Sequence, residues 1–268
     1  MSEIEPINTS IRIGVKRFIK VKKQKVNQND TKQENVSSSK NSLTAKSGFI
    51  AEDIFRTDEV IKDRLEKYFG KTIISIEKIH GKKYDSKIYF EDGTSKNIQN
   101  KKIEGLGGRG DSFDRRHIKD TFQNQDIRRY LTLLTLYRKN KRETSMMNAQ
   151  KEDFMKLCNN NLNDITQYIE KTLIGEDNEQ NDYWCIMKTN KDFTNKELFI
   201  ISSTKLFQFI ELSIKIDIKL KKNGTCLHLS PYISIQRKGG GNTDNSPNHI
   251  QAKLKFTQEL LHLCDKIM

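Results

Sequence analysis

The chain has 268 residues, of which 34% are hydrophobic and 31% charged, and its formal net charge is +13 at pH 7. That length suits one large domain or two small ones, and the apolar share supplies a core only if part of the chain stays outside it. The positive excess favours a polyanionic partner, through attraction to phosphates and release of their counterions. No apolar run approaches the ~18 residues of a membrane span, and the N-terminus lacks an uninterrupted apolar signal core.

Residues 1–43 differ from the rest. The stretch IRIGVKRFIKVKKQKV, from Ile11 to Val26, is basic with scattered apolar residues, and NQNDTKQENVSSSKNSL, residues 27–43, is polar throughout. Such a composition does not bury enough surface to fold alone, so residues 1–43 read as a disordered basic tail and 44–268 as one mixed domain. The basic piece fits a strand, a DNA-touching arm, a localisation signal or a plain solvated tail.

From Thr44 the pattern changes. Ile50, Ile54, Val60, Ile61, Leu65, Tyr68 and Phe69 have helical spacing, with a break near Arg56-Thr57 and a stop at Gly70. Residues 72–79 alternate as a strand. Ser86–Phe90 and Lys96–Ile103 read as two further strands, joined by Glu91-Asp92-Gly93-Thr94, and Asp-Gly at that place signals a hairpin. Phe113–Lys139 reads as a long basic helix and Asp153–Ile174 as another. Leu198–Ser202 and Ser213–Lys221 read as strands around a short helix, Ser203–Leu212. Thr225–Ser230, Tyr232–Arg237 and Ile250–Phe256 complete the strands. The four cysteines, Cys158, Cys185, Cys226 and Cys264, include no C-x-x-C pair and match neither a zinc site nor a disulfide framework. They read as reduced packing thiols in a cytosol-like compartment, which gives a cytoplasmic localisation.

The hairpin holds the residues with chemistry. Residues two apart on a strand point to one face, so Gln99 and Lys101 project together, and the Asp-Gly turn folds Asp85 back toward Gln99. A carboxylate, an amide oxygen and an ammonium around one small volume suit phosphodiester cleavage. A magnesium ion held by a carboxylate supplies Lewis acidity and a more acidic water. A lysine orients that water and stabilises the charge developing at phosphorus. Glu52, on the preceding helix, is the natural extra carboxylate. An Asp followed at this distance by Gln-x-Lys is nonetheless common in basic proteins, and a solvated hairpin face is the plain alternative.

Beside it lies Gly105-Leu106-Gly107-Gly108-Arg109-Gly110-Asp111-Ser112. Its G-x-G-x-x-G lacks the buried apolar strand that a dinucleotide fold places before it. The Arg-Gly-Asp-Ser tetrapeptide matters only outside cells, and a match of that length is common by chance. Glycines around Arg109 suit a close approach to a DNA phosphate, and an ordinary flexible loop is the alternative.

Three stretches together resemble a family. They are TAKSGFIAE (Thr44–Glu52), the hairpin from Gly81-Lys82-Lys83-Tyr84-Asp85 to Ile98-Gln99-Asn100-Lys101, and ISIQRKGGGN (Ile233–Asn242). They are similar to the small type II restriction endonucleases of the HinP and Msp type, in the PD-(D/E)xK nuclease superfamily. That family likewise carries Gln before its catalytic lysine. The superfamily's proline before the aspartate is Tyr84 here.

The resemblance implies an α/β fold, a single mixed β-sheet flanked by helices with a restriction-endonuclease-like core. It also implies Mg²⁺-dependent cleavage of duplex DNA at a short palindromic site and a cognate DNA methyltransferase in the host. It assigns Asp85, Gln99 and Lys101 to catalysis, with Asp85, Gln99 and Glu52 toward the metal. In ISIQRKGGGN, Gln236 and Lys238 share a strand face, and glutamine, arginine and lysine suit base edges in the major groove. The expected DNA-binding set is therefore Arg109, Arg115, Arg116, Gln236, Arg237, Lys238, Gly239, Gly240 and Asn242. Two other functions fit the same fold: a nucleic-acid-binding module that has lost catalysis, and a structure-specific repair nuclease.

Overall fold

The computed structural model describes residues 36–108, 110–134, 136–138, 141–143, 146–176, 179–220, 225–238 and 248–268. It opens with two helices, α1 (Val36–Thr57) and α2 (Glu59–Phe69). The expected break between them is real. Asp58 ends α1 and caps α2, its carboxylate accepting from the Val60 and Ile61 amides at 3.0 and 3.4 Å, and the same carboxylate binds Lys196. Gly70, at φ 63°, closes α2 in the left-handed conformation that favours glycine. Helix α1 begins at Val36, inside the polar stretch expected to lie outside the fold. Residues 1–35 lie outside the described residues.

Three strands follow, β1 (Ile73–Lys78), β2 (Ser86–Phe90) and β3 (Ser95–Ile103). The turn between β2 and β3 forms where Asp-Gly predicts it. Phe90 N donates to the Thr94 carbonyl at 3.0 Å, and the Asp92 carboxylate accepts from the Thr94 amide at 3.0 Å. The remaining elements are β4 (Asp111–His117), α3 (Gln125–Leu131), β5 (Leu136–Arg138), β6 (Lys141–Glu143), α4 (Asn148–Asn159), α5 (Leu162–Leu173), β7 (Tyr183–Thr189), β8 (Lys196–Ser202), α6 (Ser203–Leu212), β9 (Asp217–Lys219), β10 (Cys226–His228), β11 (Ile233–Lys238), β12 (His249–Leu254), α7 (Gln258–His262) and β13 (Asp265–Lys266).

The mixed sheet expected from the sequence is present. It has six strands in the order β1-β2-β3-β7-β8-β13, with β3 and β7 parallel and the other neighbours antiparallel. One face carries Ile88, Ile98, Cys185 and Met187 and packs on Ala51 and Phe55 of α1 and Ile61 and Leu65 of α2. The other face carries Ile103, Trp184, Ile186, Phe199 and Ile201 and shares a larger core with α3 to α6. Three of the four free cysteines, Cys158, Cys185 and Cys264, are buried, as packing residues should be.

A second sheet departs from the expectation of a single one. It is five-stranded and antiparallel, in the order β4-β12-β11-β10-β9. Its inner face, with Ile233, Ile235, Ile250 and Leu254, joins the larger core. The long helix expected over 113–139 is replaced by strand β4, a single 3₁₀ turn over Ile118–Asp120, and the short α3. Pairing with β12 settles β4 as a strand, since tertiary contacts override weak local propensity. The helix expected over 153–174 is divided at Asn160-Asn161 into α4 and α5.

Candidate functional site

The hairpin register sets the site. Ser86 pairs with Ile98, and the Asp85 amide donates to the Ile98 carbonyl at 3.0 Å, which brings Asp85 beside Gln99. The Asp85 carboxylate accepts from the Asn100 backbone N–H at 3.0 Å and from the side-chain amide of Gln99. Lys101 lies on the same strand face as Gln99. Their register partners on β7 are Trp184 for Gln99 and Ile186 for Lys101. The alternate residues, Asn100 and Lys102, turn toward the α1 side, where Asn100 donates to Ser86 Oγ at 2.7 Å and Lys102 binds Ser47.

Glu52 on α1 completes the group electrostatically. Burial, and after it the Asp85 carboxylate, push the Glu52 carboxyl above its ordinary value, against the opposing pull of Lys78, Lys101 and Arg56. Two carboxylates in electrostatic range of each other favour a cation near them.

A cleft of about 1610 Å³ lies beside these residues, its walls including Glu52, Lys101, Ser112, Gln236, Gln251 and Lys253. Gln99 is recessed behind the wall, only 3% exposed. Asp111 of β4 also lines the cleft. Partial burial pushes the Asp111 carboxyl up while Lys101 and Lys253 pull it down. Asp111 was missed by sequence reasoning, because nothing marks it until β4 is known to be a strand.

Among the described residues, no three His, Cys, Asp or Glu side chains gather as a metal cage. Magnesium does not need one. It is held by one or two carboxylates, waters and substrate phosphate oxygens rather than by an all-protein shell. Asp85 supplies such a carboxylate and Glu52 lies in electrostatic range of it, while Gln99 faces Asp85 through Nε2, so its amide oxygen joins them only with the amide turned over.

The expected DNA-binding residues separate into groups. Gln236 lines the cleft and donates to Gln251 Oε1 at 3.4 Å across β11 and β12. Arg115 is exposed and pairs in register with Gln251. Two of the expected residues are engaged within the fold. Arg237 is 4% exposed on the inner face of β11, in line with Ile233 and Ile235, and its guanidinium binds the Thr132 carbonyl. It therefore serves the core rather than the cleft. The Ile-x-Ile-x-Arg alternation already carried that signal. Arg116 is turned inward onto Asp114, with Nε and Nη2 at 2.9 and 3.1 Å, and onto the Lys171 carbonyl at 3.0 Å. Lys238 ends β11 opposite His249. Arg109, Gly239, Gly240 and Asn242 lie outside the described residues.

Fold and site together define a mixed α/β protein with a carboxylate–amide–lysine group whose lysine, Lys101, lines a cleft of mixed polar and apolar walls. No protein-family model and no curated protein sequence matches the chain. Among solved structures, it is similar to the restriction endonuclease MspI in complex with its cognate DNA, at 13% identity and a TM-score of 0.45, over 81% of this chain and 92% of that one. A likeness of that degree establishes neither family nor chemistry.

Proposed function

We propose that the protein is a Mg²⁺-dependent, site-specific deoxyribonuclease of the type II restriction class, cutting duplex DNA at a short palindromic site. The observation that carries this reading is the junction of Asp85 and Gln99 by a hydrogen bond, with Lys101 on the same strand face beside a cleft. The net charge of +13 supports a polyanionic substrate.

In this reading Asp85 and, with its amide turned over, the Gln99 oxygen would hold the metal, with Glu52 as the further carboxylate. When bound, Mg²⁺ supplies Lewis acidity at the scissile phosphate and lowers the pKa of its water. The Asn100 backbone N–H fixes the Asp85 carboxylate, so its orientation is set before substrate arrives. Lys101 holds the attacking water through its ammonium and offsets charge on the phosphorane. Gln236 and Gln251 present amides to base edges, and Arg115 contacts phosphate. A cognate methyltransferase protecting host DNA belongs to the same reading.

The test is digestion of plasmid and phage DNA with and without Mg²⁺, followed by sequencing of the ends. Discrete fragments with one terminal sequence support the proposal. Random ends, or cuts confined to branched DNA, point to a different nuclease. Binding without cutting favours the second reading, a DNA-binding module without catalysis.

A further inference from the structure

The segment that delivers Asp85 is fastened by an ion pair which the proposed chemistry does not use. Lys83 lies two residues before Asp85. Its ammonium reaches across to Asp114 of β4 at 3.0 Å, and the two side chains are only 10% and 7% exposed. Asp114 is also held by Arg116, whose Nη2 shares the oxygen bound by Lys83 while Nε takes the other; Arg116 is itself tied to the Lys171 carbonyl and lies 3.7 Å from Glu176.

The Lys83 ammonium also stands 5.3 Å from the centre of the Phe113 ring. Phe113 packs edge-on against Trp184 at 5.5 Å, and Trp184 is the register partner of Gln99. The stem of Lys83 runs past Gly175. A Cβ there would stand 3.2 Å from Lys83 Cγ and 2.7 Å from the Glu179 carbonyl oxygen, and the residue has φ of +100°. Glycine is thus required where the lysine crosses.

A buried ion pair is a poor source of net stability, because desolvation offsets much of the attraction. What it does supply is a fixed relative position. Lys83–Asp114 joins the loop preceding β2, in the six-stranded sheet, to β4, in the five-stranded sheet. On β4, Asp114 is flanked by Arg115, the exposed arginine in register with the cleft residue Gln251.

We propose that Lys83 is a positioning residue for the Asp85–Gln99–Lys101 site, and that the Lys83–Asp114 pair ties the place of Asp85 to the seating of the five-stranded sheet. The proposal rests on the nuclease reading for its kinetic consequence, and its geometric consequence stands apart from it. Lys83 touches no reacting group; it sets where Asp85 stands relative to Gln99.

The experiment compares wild type, Lys83→Met, Lys83→Arg and the double variant Lys83→Met/Asp114→Leu. Lys83→Met leaves Asp114 paired with Arg116, and the double variant removes the carboxylate as well, leaving Arg116 with the Lys171 carbonyl and Glu176. Two quantities are read on protein with native circular dichroism: kcat and KM on a mapped duplex site with Mg²⁺, and the ¹H–¹⁵N signal of the Gln99 side-chain amide in metal-free protein, assigned by its loss in Gln99→Glu.

In Lys83→Met and the double variant, kcat is expected to fall about 100-fold, the scale of a misplacement near 1 Å. KM should stay within about threefold, the Gln99 amide signal should move, and Lys83→Arg should recover part of kcat. A folded double variant with wild-type kcat and an unmoved Gln99 signal overturns the proposal. If wild type does not cut DNA, the nuclease reading fails. The Gln99 signal then decides the positioning role alone, with movement supporting it and no movement ending it.

Discussion

The two sheets border one cleft with walls of different kinds. The six-stranded sheet contributes groups already engaged with one another: Asp85 accepts from Gln99 and from the Asn100 amide, and Gln99 is nearly sealed from solvent. The five-stranded sheet contributes Ser112, Gln236, Gln251 and Lys253 along the cleft, tied across strands by the long Gln236–Gln251 bond of 3.4 Å. A tightly satisfied cluster has little freedom left and suits bond-breaking, where placement governs rate. A face of loosely tied amides keeps hydrogen-bonding capacity for a partner and suits discrimination between base pairs. Under the proposed function, chemistry and recognition fall to different sheets, and substitutions should separate them.

The largest effect is expected in the first wall. Asp85→Ala or Lys101→Ala should lower the cleavage rate by at least about 10²–10³-fold, with duplex affinity in Ca²⁺ little changed. Initial rates and equilibrium binding on one preparation check this. Equal loss of both would merge the two walls into one. Next in size, Gln236→Ala and Gln251→Ala should each reduce discrimination between the mapped site and a scrambled duplex by about 1–3 kcal/mol, read by competition binding. They should leave the rate on saturating site DNA within a few-fold.

A third pair of variants separates the inner and outer faces of the five-stranded sheet. Arg237→Ala should cost about 1.5–3 kcal/mol in denaturant unfolding, as expected for a lost hydrogen bond from a buried charged group, and leave the salt dependence of DNA binding unaltered. Arg115→Ala should do the reverse, with stability near wild type and a salt slope shallower by about one.

The smallest effect concerns Glu52. Its folded pKa is raised, so its ionisation opposes folding. That penalty is absent below the ordinary value of 4.5 and fully present above the folded value. In Mg²⁺-free protein at neutral pH, Glu52→Gln should therefore raise stability, by less than about 1 kcal/mol, and the gain should vanish in acid. A loss of stability at neutral pH would show that the Glu52 carboxylate is welcome without metal.

Local rules made part of this molecule legible. The α1–α2 break, the Gly70 stop and the Asp-Gly hairpin follow from capping and turn chemistry within a few residues, and the hairpin alone brings Asp85 to Gln99. Strand β4 was hidden because its polar residues Asp111, Arg115 and Arg116 resemble the start of a charged helix, and only β12, far along the chain, makes it a strand. Strand β7, Tyr-Trp-Cys-Ile-Met-Lys-Thr, is buried on both faces and shows no alternation to read. The Lys83–Asp114 pair is beyond local reading for the same reason as β4. Arg237 is different: its inward place follows from alternation with Ile233 and Ile235, and the attraction of arginine for nucleic acid obscured it.

The parallel pairing of β3 with β7 has a consequence for synthesis. The strand bearing Gln99 and Lys101 is the open edge of a three-stranded run, β1-β2-β3, until residues 183–189 have been made and supply its second neighbour. A ribosome that has produced the first half of the chain therefore carries Glu52, Asp85, Gln99 and Lys101 on a sheet whose edge is still unpaired. That edge closes only when β7 emerges to pair with it.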